Sequence, residues 1–315
     1  MRYFARLLSE LRTVVEGTRP GDVLTPPPLL SRIDLHGRRL SYFHMGLDQG
    51  RPIILLHGFG GFFMDWPRVM APVSRRHHVF AIDLPGWGFS EPHEHVHGIE
   101  DDVRTVHDFI RHLDLREVTL VGLSYGGGVA WASAGLRVPG VKQVVLLNPM
   151  PPHPLRFMHS KIYNGIFFLN QTRLSARLGH KLLNKQQFKV ICKESIRHFR
   201  LLDSFYLELG YRVIKQPHIA EIMFRQARGA RQIDWSHWER KLSEVEIPVH
   251  ILQGDQDRLF SLQSAQYLQG LIPGATLEVV GDCGHAMVFD QHRHVSEFLL
   301  RLGVEADAKA VGAAR

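Results

Sequence analysis

What most constrains this chain is a repeated alternation: short, continuously apolar runs separated by helix-length amphipathic segments. PIILLHG, HVFAIDLPG, VTLVG, VVLLNP, VHILQG and TLEVV read as strands without the in/out alternation of a half-exposed sheet, and segments 99–113, 125–137 and 261–269 between them carry helical patterning. Strands apolar on both faces and joined through helices predict a mostly parallel sheet covered on both sides. SRIDLHG and RRLSYFHMG add an antiparallel pair at the start, which brings the expected sheet to eight strands. The alternation breaks once, between VVLLNP and VHILQG, where about a hundred residues have helical character and no strong strand run. The expected organisation is therefore a helix and linker over 1–30, a core over 31–149 and 241–303, an inserted helical cap over 150–240, and a small, polar, disordered tail over 304–315.

The first segment, MRYFARLLSELRTVVEG, places Phe4, Leu7, Leu8, Leu11, Val14 and Val15 at helical spacing with Arg2, Arg6, Arg12 and Glu16 between them. This is an amphipathic helix and not the continuous apolar core of a signal peptide. Two roles fit it: packing on the body or on a second subunit of a homo-oligomer, or lying as a peripheral anchor on an anionic membrane. TPPPLL ends it as a stiff linker. No run of 18 apolar residues exists to span a bilayer. Cys192 and Cys283 fit neither a disulfide framework nor a metal-ligand spacing, so a reducing, cytoplasmic setting is expected.

Charge is unevenly distributed. Residues 150–240 carry 16 Lys plus Arg against 6 Asp plus Glu, whereas the rest of the chain is slightly acidic, and the whole has a net charge of +7. A basic cap suits an anionic substrate, an acidic carrier or a membrane surface, or is a solvated helical surface. With no recognition motif beside it, it does not indicate nucleic acid.

Within VTLVGLSYGGGVA, Ser124 stands where the strand gives way to the helix, in the pattern Gly122-Leu123-Ser124-Tyr125-Gly126. So tight a turn strains the serine backbone, requires glycine two residues to either side, and pushes the hydroxyl out at a helix N-terminus. A serine hydroxyl needs a base, and the base an orienting acid. His285, in the loop after TLEVVG, reaches the same sheet edge. Asp257 is favoured as the acid over Asp255, because it lies three residues past Gly254 and far enough into the loop to reach the imidazole; Asp255 is expected to stabilise that loop. Oxyanion donors are expected from the backbone N–H of Tyr125 and, across the edge in HGFGG, of Phe59, with Gly60 letting substrate approach and His57 shaping the loop. Asp83 is expected to be structural, Trp87 to stand at the pocket entrance, and the cap to supply Phe157, Ile166, Phe167, Phe168 and Leu169.

HGFGG, DLPGWGFS, GLSYGG, GDQD and CGH, in this order over about residues 30–302, resemble the α/β-hydrolase superfamily. The resemblance implies the α/β-hydrolase fold and the chain order Ser124, Asp257, His285 for its catalytic residues. Haloalkane dehalogenases and epoxide hydrolases carry aspartate at the elbow, so Ser124 argues against both. The stretch from Gly254 to Gln291 is similar to monoacylglycerol-lipase-like members. Hydrolases of carbon–carbon bonds in meta-cleavage products usually carry Asn before the serine and Gly-Pro in the oxyanion loop, where this chain has Leu123 and Gly60-Gly61. The resemblance thus implies a serine hydrolase of small-molecule carboxylic esters with a hydrophobic acyl or aryl part, needing no metal or organic cofactor. Carbon–carbon bond hydrolysis, or a ligand receptor that keeps the fold without turnover, are the alternatives.

Overall fold

The computed structural model describes residues 2–92 and 98–313. In chain order, α1 (Arg2–Glu16) leads through the proline-rich linker into β1 (Ser31–Asp34), β2 (Arg39–Gly46) and β3 (Arg51–Leu56). Then come α2 (Pro67–Val73), β4 (His77–Ile82), α3 (Ile99–His112), β5 (Val118–Leu123), α4 (Tyr125–Gly135) and β6 (Val141–Leu147). The insertion follows as α5 (Pro154–Phe157), α6 (Lys161–Leu169), α7 (Arg173–Leu182), α8 (Lys185–Ser195), α9 (Ser204–Ile214) and α10 (Ile219–Gln232). The core resumes with α11 (Trp235–Ser243), β7 (Val249–Gly254), α12 (Leu262–Leu271), β8 (Thr276–Val280), α13 (Met287–Asp290) and α14 (His292–Ala313).

The eight strands form one sheet in the order β1-β2-β4-β3-β5-β6-β7-β8. β2 pairs antiparallel with both β1 and β4, and the other pairings are parallel. Strand pleating divides the apolar runs between two cores. Ile54, Leu56, Val144 and Leu146 face one side, where α3, α4, α11 and α12 cover them. Ile53, Leu55, Val145 and Leu147 face the other, under α1, α2 and α14. Each central strand is thus buried on both faces, which is why its sequence is apolar throughout.

Two boundaries differ from the sequence reading. The core resumes before residue 240: α11 packs on α4, with Trp238 edge-on to Trp131 at 5.5 Å between ring centroids. The stretch expected to be a disordered tail continues α14 to Ala313, since EADAKA and the alanines after it have high helix propensity. Of the two roles expected for the first helix, its contacts show packing on the body: Leu7 and Leu11 are fully buried in the second core, Glu10 receives the Leu29 N–H at 2.9 Å, and Arg12 lies over the Phe205 ring of α9.

Because α1 completes a core, Leu11→Ala is expected to lower unfolding free energy by roughly 2–5 kcal/mol. Chemical denaturation measures it; an unchanged midpoint would mean that α1 contributes no packing.

Candidate active site

Ser124 sits between the end of β5 and the start of α4 with φ 52° and ψ −113°, a conformation that L residues rarely adopt. Its neighbours make this possible. A Cβ on Gly122 would lie 2.1 Å from the Gly126 carbonyl oxygen, and one on Gly126 2.3 Å from that of Leu56. Any side chain at either position would push the turn off the sheet. Backbone bonds fasten the strained residue: the Ser124 N–H donates to Leu147 O at 3.0 Å, and its carbonyl accepts from Gly128 and Met150.

The Ser124 hydroxyl is 2.8 Å from Nε2 of His285, and Nδ1 of His285 is 2.8 Å from Oδ2 of Asp257. The three side chains, from three separated loops, form one hydrogen-bonded line. Asp257 is held as a carboxylate should be: Oδ1 accepts from the Leu259 and Phe260 N–H groups, and Oδ2 also accepts from Gln253. Asp255 is exposed and accepts the Cys283 N–H at 3.1 Å, which braces the two loops without reaching His285.

One organising residue was not singled out from the sequence. Asn148, fully buried at the end of β6, donates from Nδ2 to the carbonyls of Gly284 (2.8 Å) and His285 (2.6 Å) and accepts the Gly254 N–H at 2.6 Å. It therefore ties the loop carrying His285 to the end of the strand that carries Asp257. Its signal was a lone amide closing VVLLNP, a place where an apolar residue would continue the strand.

On the opposite side of Ser124 lies the loop after β3. His57 is fully buried, with Nδ1 2.8 Å from Gly58 O and Nε2 accepting the Leu84 N–H at 2.9 Å, so it is a neutral brace. Burial pushes its pKa down to about 4. Asp83 accepts the N–H groups of Phe63 and Phe89, and burial pushes its carboxyl up to about 8. Among the described hydrogen bonds, neither the Phe59 nor the Tyr125 amide has an acceptor. The Tyr125 hydroxyl bonds Asp102 at 2.6 Å, anchoring the first turn of α4 to α3.

A cavity of about 300 Å³ opens over Ser124 and His285, walled mainly by apolar side chains of the insertion. Gly60, Ile166, Phe167 and Leu169 line it as expected from the sequence, whereas three aromatics do not. Trp87 is buried against Phe59, edge-on at 5.2 Å between centroids, because it packs into the first core. Phe168 points to solvent, being one helical step of about 100° from Phe167. Phe157 packs against Tyr267 of α12. The cavity also holds a carboxyl outside the hydrogen-bonded line: Asp65 bonds the Tyr206 hydroxyl, and burial pushes it up to about 7 against that bond's lowering pull.

The family model for the alpha/beta hydrolase fold matches residues 51–291, and the chain belongs to that family. It is 29% identical over 254 residues to the 2-hydroxy-6-oxo-2,4-heptadienoate hydrolase of Pseudomonas putida, covering 78% of this chain and 86% of that protein. Among solved structures, it resembles a putative lipase of Acinetobacter baumannii with TM-score 0.77 and 17% identity, covering 97% of both chains. A membrane phospholipase A is similar with TM-score 0.74 and 22% identity, over 96% of this chain and 91% of the other.

Two predictions follow from this geometry. His57 should remain neutral by NMR down to about pH 4. In the unfolded chain its pKa returns to about 6.5, so the unfolded state takes up a proton that the folded state refuses as pH falls from 6.5 to 4. Its stability contribution is complete above 6.5 and declines by about 3 kcal/mol across that window. Asn148→Ala should leave the protein folded, destabilise it by roughly 2–4 kcal/mol, and weaken the downfield His285 Nδ1 proton resonance that reports the bond to Asp257. An unaltered resonance would show that the loops hold each other without it.

Proposed function

We propose that the protein is a serine hydrolase of carboxylic esters with a hydrophobic acyl or aryl part. The observation that carries this reading is the line Ser124–His285–Asp257 opening into an apolar cavity. Ser124 Oγ attacks the ester carbonyl while His285 Nε2 takes its proton, and Asp257 holds the Nδ1–H and stabilises the imidazolium that forms. The tetrahedral oxyanion receives the N–H groups of Phe59 and Tyr125, each contributing roughly 3–4 kcal/mol to the transition state. Collapse expels the alcohol, which takes the proton from His285. Water, deprotonated by the same imidazole, then cleaves the acyl-serine and releases the acid.

The similarity to a heptadienoate hydrolase favours carbon–carbon bond cleavage as the second reading. Such a substrate carries a carboxylate, and no Lys or Arg is among the described residues that line the cavity. Its ionisable carboxyl, Asp65, would repel a second one when charged. A neutral ester meets neither obstacle, which is why the ester reading is preferred.

Ser124→Ala is expected to lower kcat by about 10⁶-fold and to abolish covalent labelling by a fluorophosphonate in a still-folded protein. Asp257→Asn should cost about 10⁴-fold, with Asp255→Asn costing far less. A series of p-nitrophenyl esters from acetate to palmitate, run beside a vinylogous diketone, separates the readings: turnover of the diketone alone would overturn the ester assignment.

A further inference from the structure

The helix α7 is apolar on two opposite faces, and only one of them is used inside the protein. Its inner face presents Ala176, Gly179 and Leu183, the residue just after the helix, to the cavity. Its outer face carries Leu174, Leu178 and Leu182, spaced four apart in one row and 78%, 54% and 64% exposed. An amphipathic helix needs one apolar stripe to pack; a second, left in water, marks a surface with a further partner. At the end of α6, Phe168 and Leu169 are exposed too, the Leu169 side chain lying close to Gly179 of α7.

The charge around this row identifies the partner. From Lys161 to Lys193 the chain carries Lys and Arg but no Asp or Glu. Arg173 and Lys185 are held by Glu221 and Glu208 from neighbouring helices, whereas Arg177 and Lys181 are exposed on the flank of the leucine row. Helical geometry sets Arg177 and Lys181 three residues after Leu174 and Leu178, so cations border the apolar row along its length. A second copy of this chain would oppose like charge to like charge. A bilayer with anionic headgroups satisfies both elements at once, taking the leucines at the acyl boundary and the cations at the phosphate level. In the first helix, by contrast, Leu7 and Leu11 are consumed in the core.

We infer that the outer face of α7, with its flanking Arg177 and Lys181, docks the cap onto an anionic lipid surface. Docking there sets the bilayer one helix thickness from the cavity. Where the ester reading holds, that cavity would draw apolar acyl substrate from the surface it rests on; the docking itself requires no catalysis.

Sedimentation of the full chain with vesicles tests the inference. Binding is expected to mixed phosphatidylglycerol–phosphatidylcholine vesicles, and to be about tenfold weaker with phosphatidylcholine alone or in high salt. Two variants, Leu174→Ser/Leu178→Ser/Leu182→Ser and Arg177→Glu/Lys181→Glu, should each bind about tenfold more weakly with an unchanged thermal melt. p-Nitrophenyl butyrate turnover, measured separately, reports the ester reading and should match wild type in both variants. Absence of vesicle binding by the wild type overturns the inference and leaves an acidic protein as occupant. Equal binding by wild type and both variants overturns it too. So does self-association without vesicles that the triple leucine variant abolishes.

Discussion

Everything at the site depends on holding one serine in a backbone conformation that its own chemistry disfavours. A positive φ at Ser124 costs of order 1–3 kcal/mol and persists only because surrounding structure leaves no alternative. Here the alternatives are closed by contact: the turn passes so near the Leu56 and Gly126 carbonyls that no Cβ fits at positions 126 and 122. The central parallel strands therefore do more than build a core. Parallel pairing brings the ends of β3, β5, β7 and β8 to one edge, where one loop supplies the strained serine, two supply its partners and another lies across from it. The strain is stored in the most rigid part of the molecule, where burial on both faces of the sheet can bear it.

The same rigidity explains what was legible in the sequence. A strand buried on both faces must be apolar throughout, so β3, β5, β6 and β7 announce themselves without tertiary knowledge. The elbow was legible because glycine at 122 and 126 and serine at 124 are demanded locally by one turn. The preference for Asp257 over Asp255 came from loop reach, and the structure places Asp257 against His285 and Asp255 against Cys283 N–H. What escaped depends on distant partners. Asn148 acts through the carbonyls of Gly284 and His285, more than 130 residues away. Asp65 lines the cavity with Tyr206, on α9 of the insertion, as its distant partner. Composition likewise marked Trp87 and Phe168 as aromatic pocket candidates, while their direction is set by the fold of a loop and the phase of a helix.

Besides Ser124 and His285, the polar groups that line the cavity include the Asp65–Tyr206 pair and the side chains of Tyr163 and Ser195, whose hydroxyls bond each other at 2.7 Å. Desolvation raises the pKa of Asp65 and Tyr206 alike, so at neutral pH the pair is close to losing its charge. A site that suppresses its own charge favours neutral ligands, and the absence of Lys and Arg among the described residues of its lining acts in the same direction. The strong positive charge of the insertion is therefore a property of its outer surface alone.

That separation of inside from outside is the physical content of the insertion. Between Lys161 and Lys193 three helices carry cations outward and apolar side chains both inward and outward, an arrangement that neither a solvated surface nor a closed core requires. In the N-terminal helix Leu7 and Leu11 join the second core, and Arg12 covers Phe205 of α9. Both α1 and α7 carry an apolar row bordered by basic residues, arginine in α1 and arginine and lysine in α7. What distinguishes them is whether the row is already satisfied by the protein. For α1, Leu7 and Leu11 are satisfied and stabilise the fold; for α7 one row is satisfied by the cavity wall and the other faces solvent, and on that outer row the docking proposal rests.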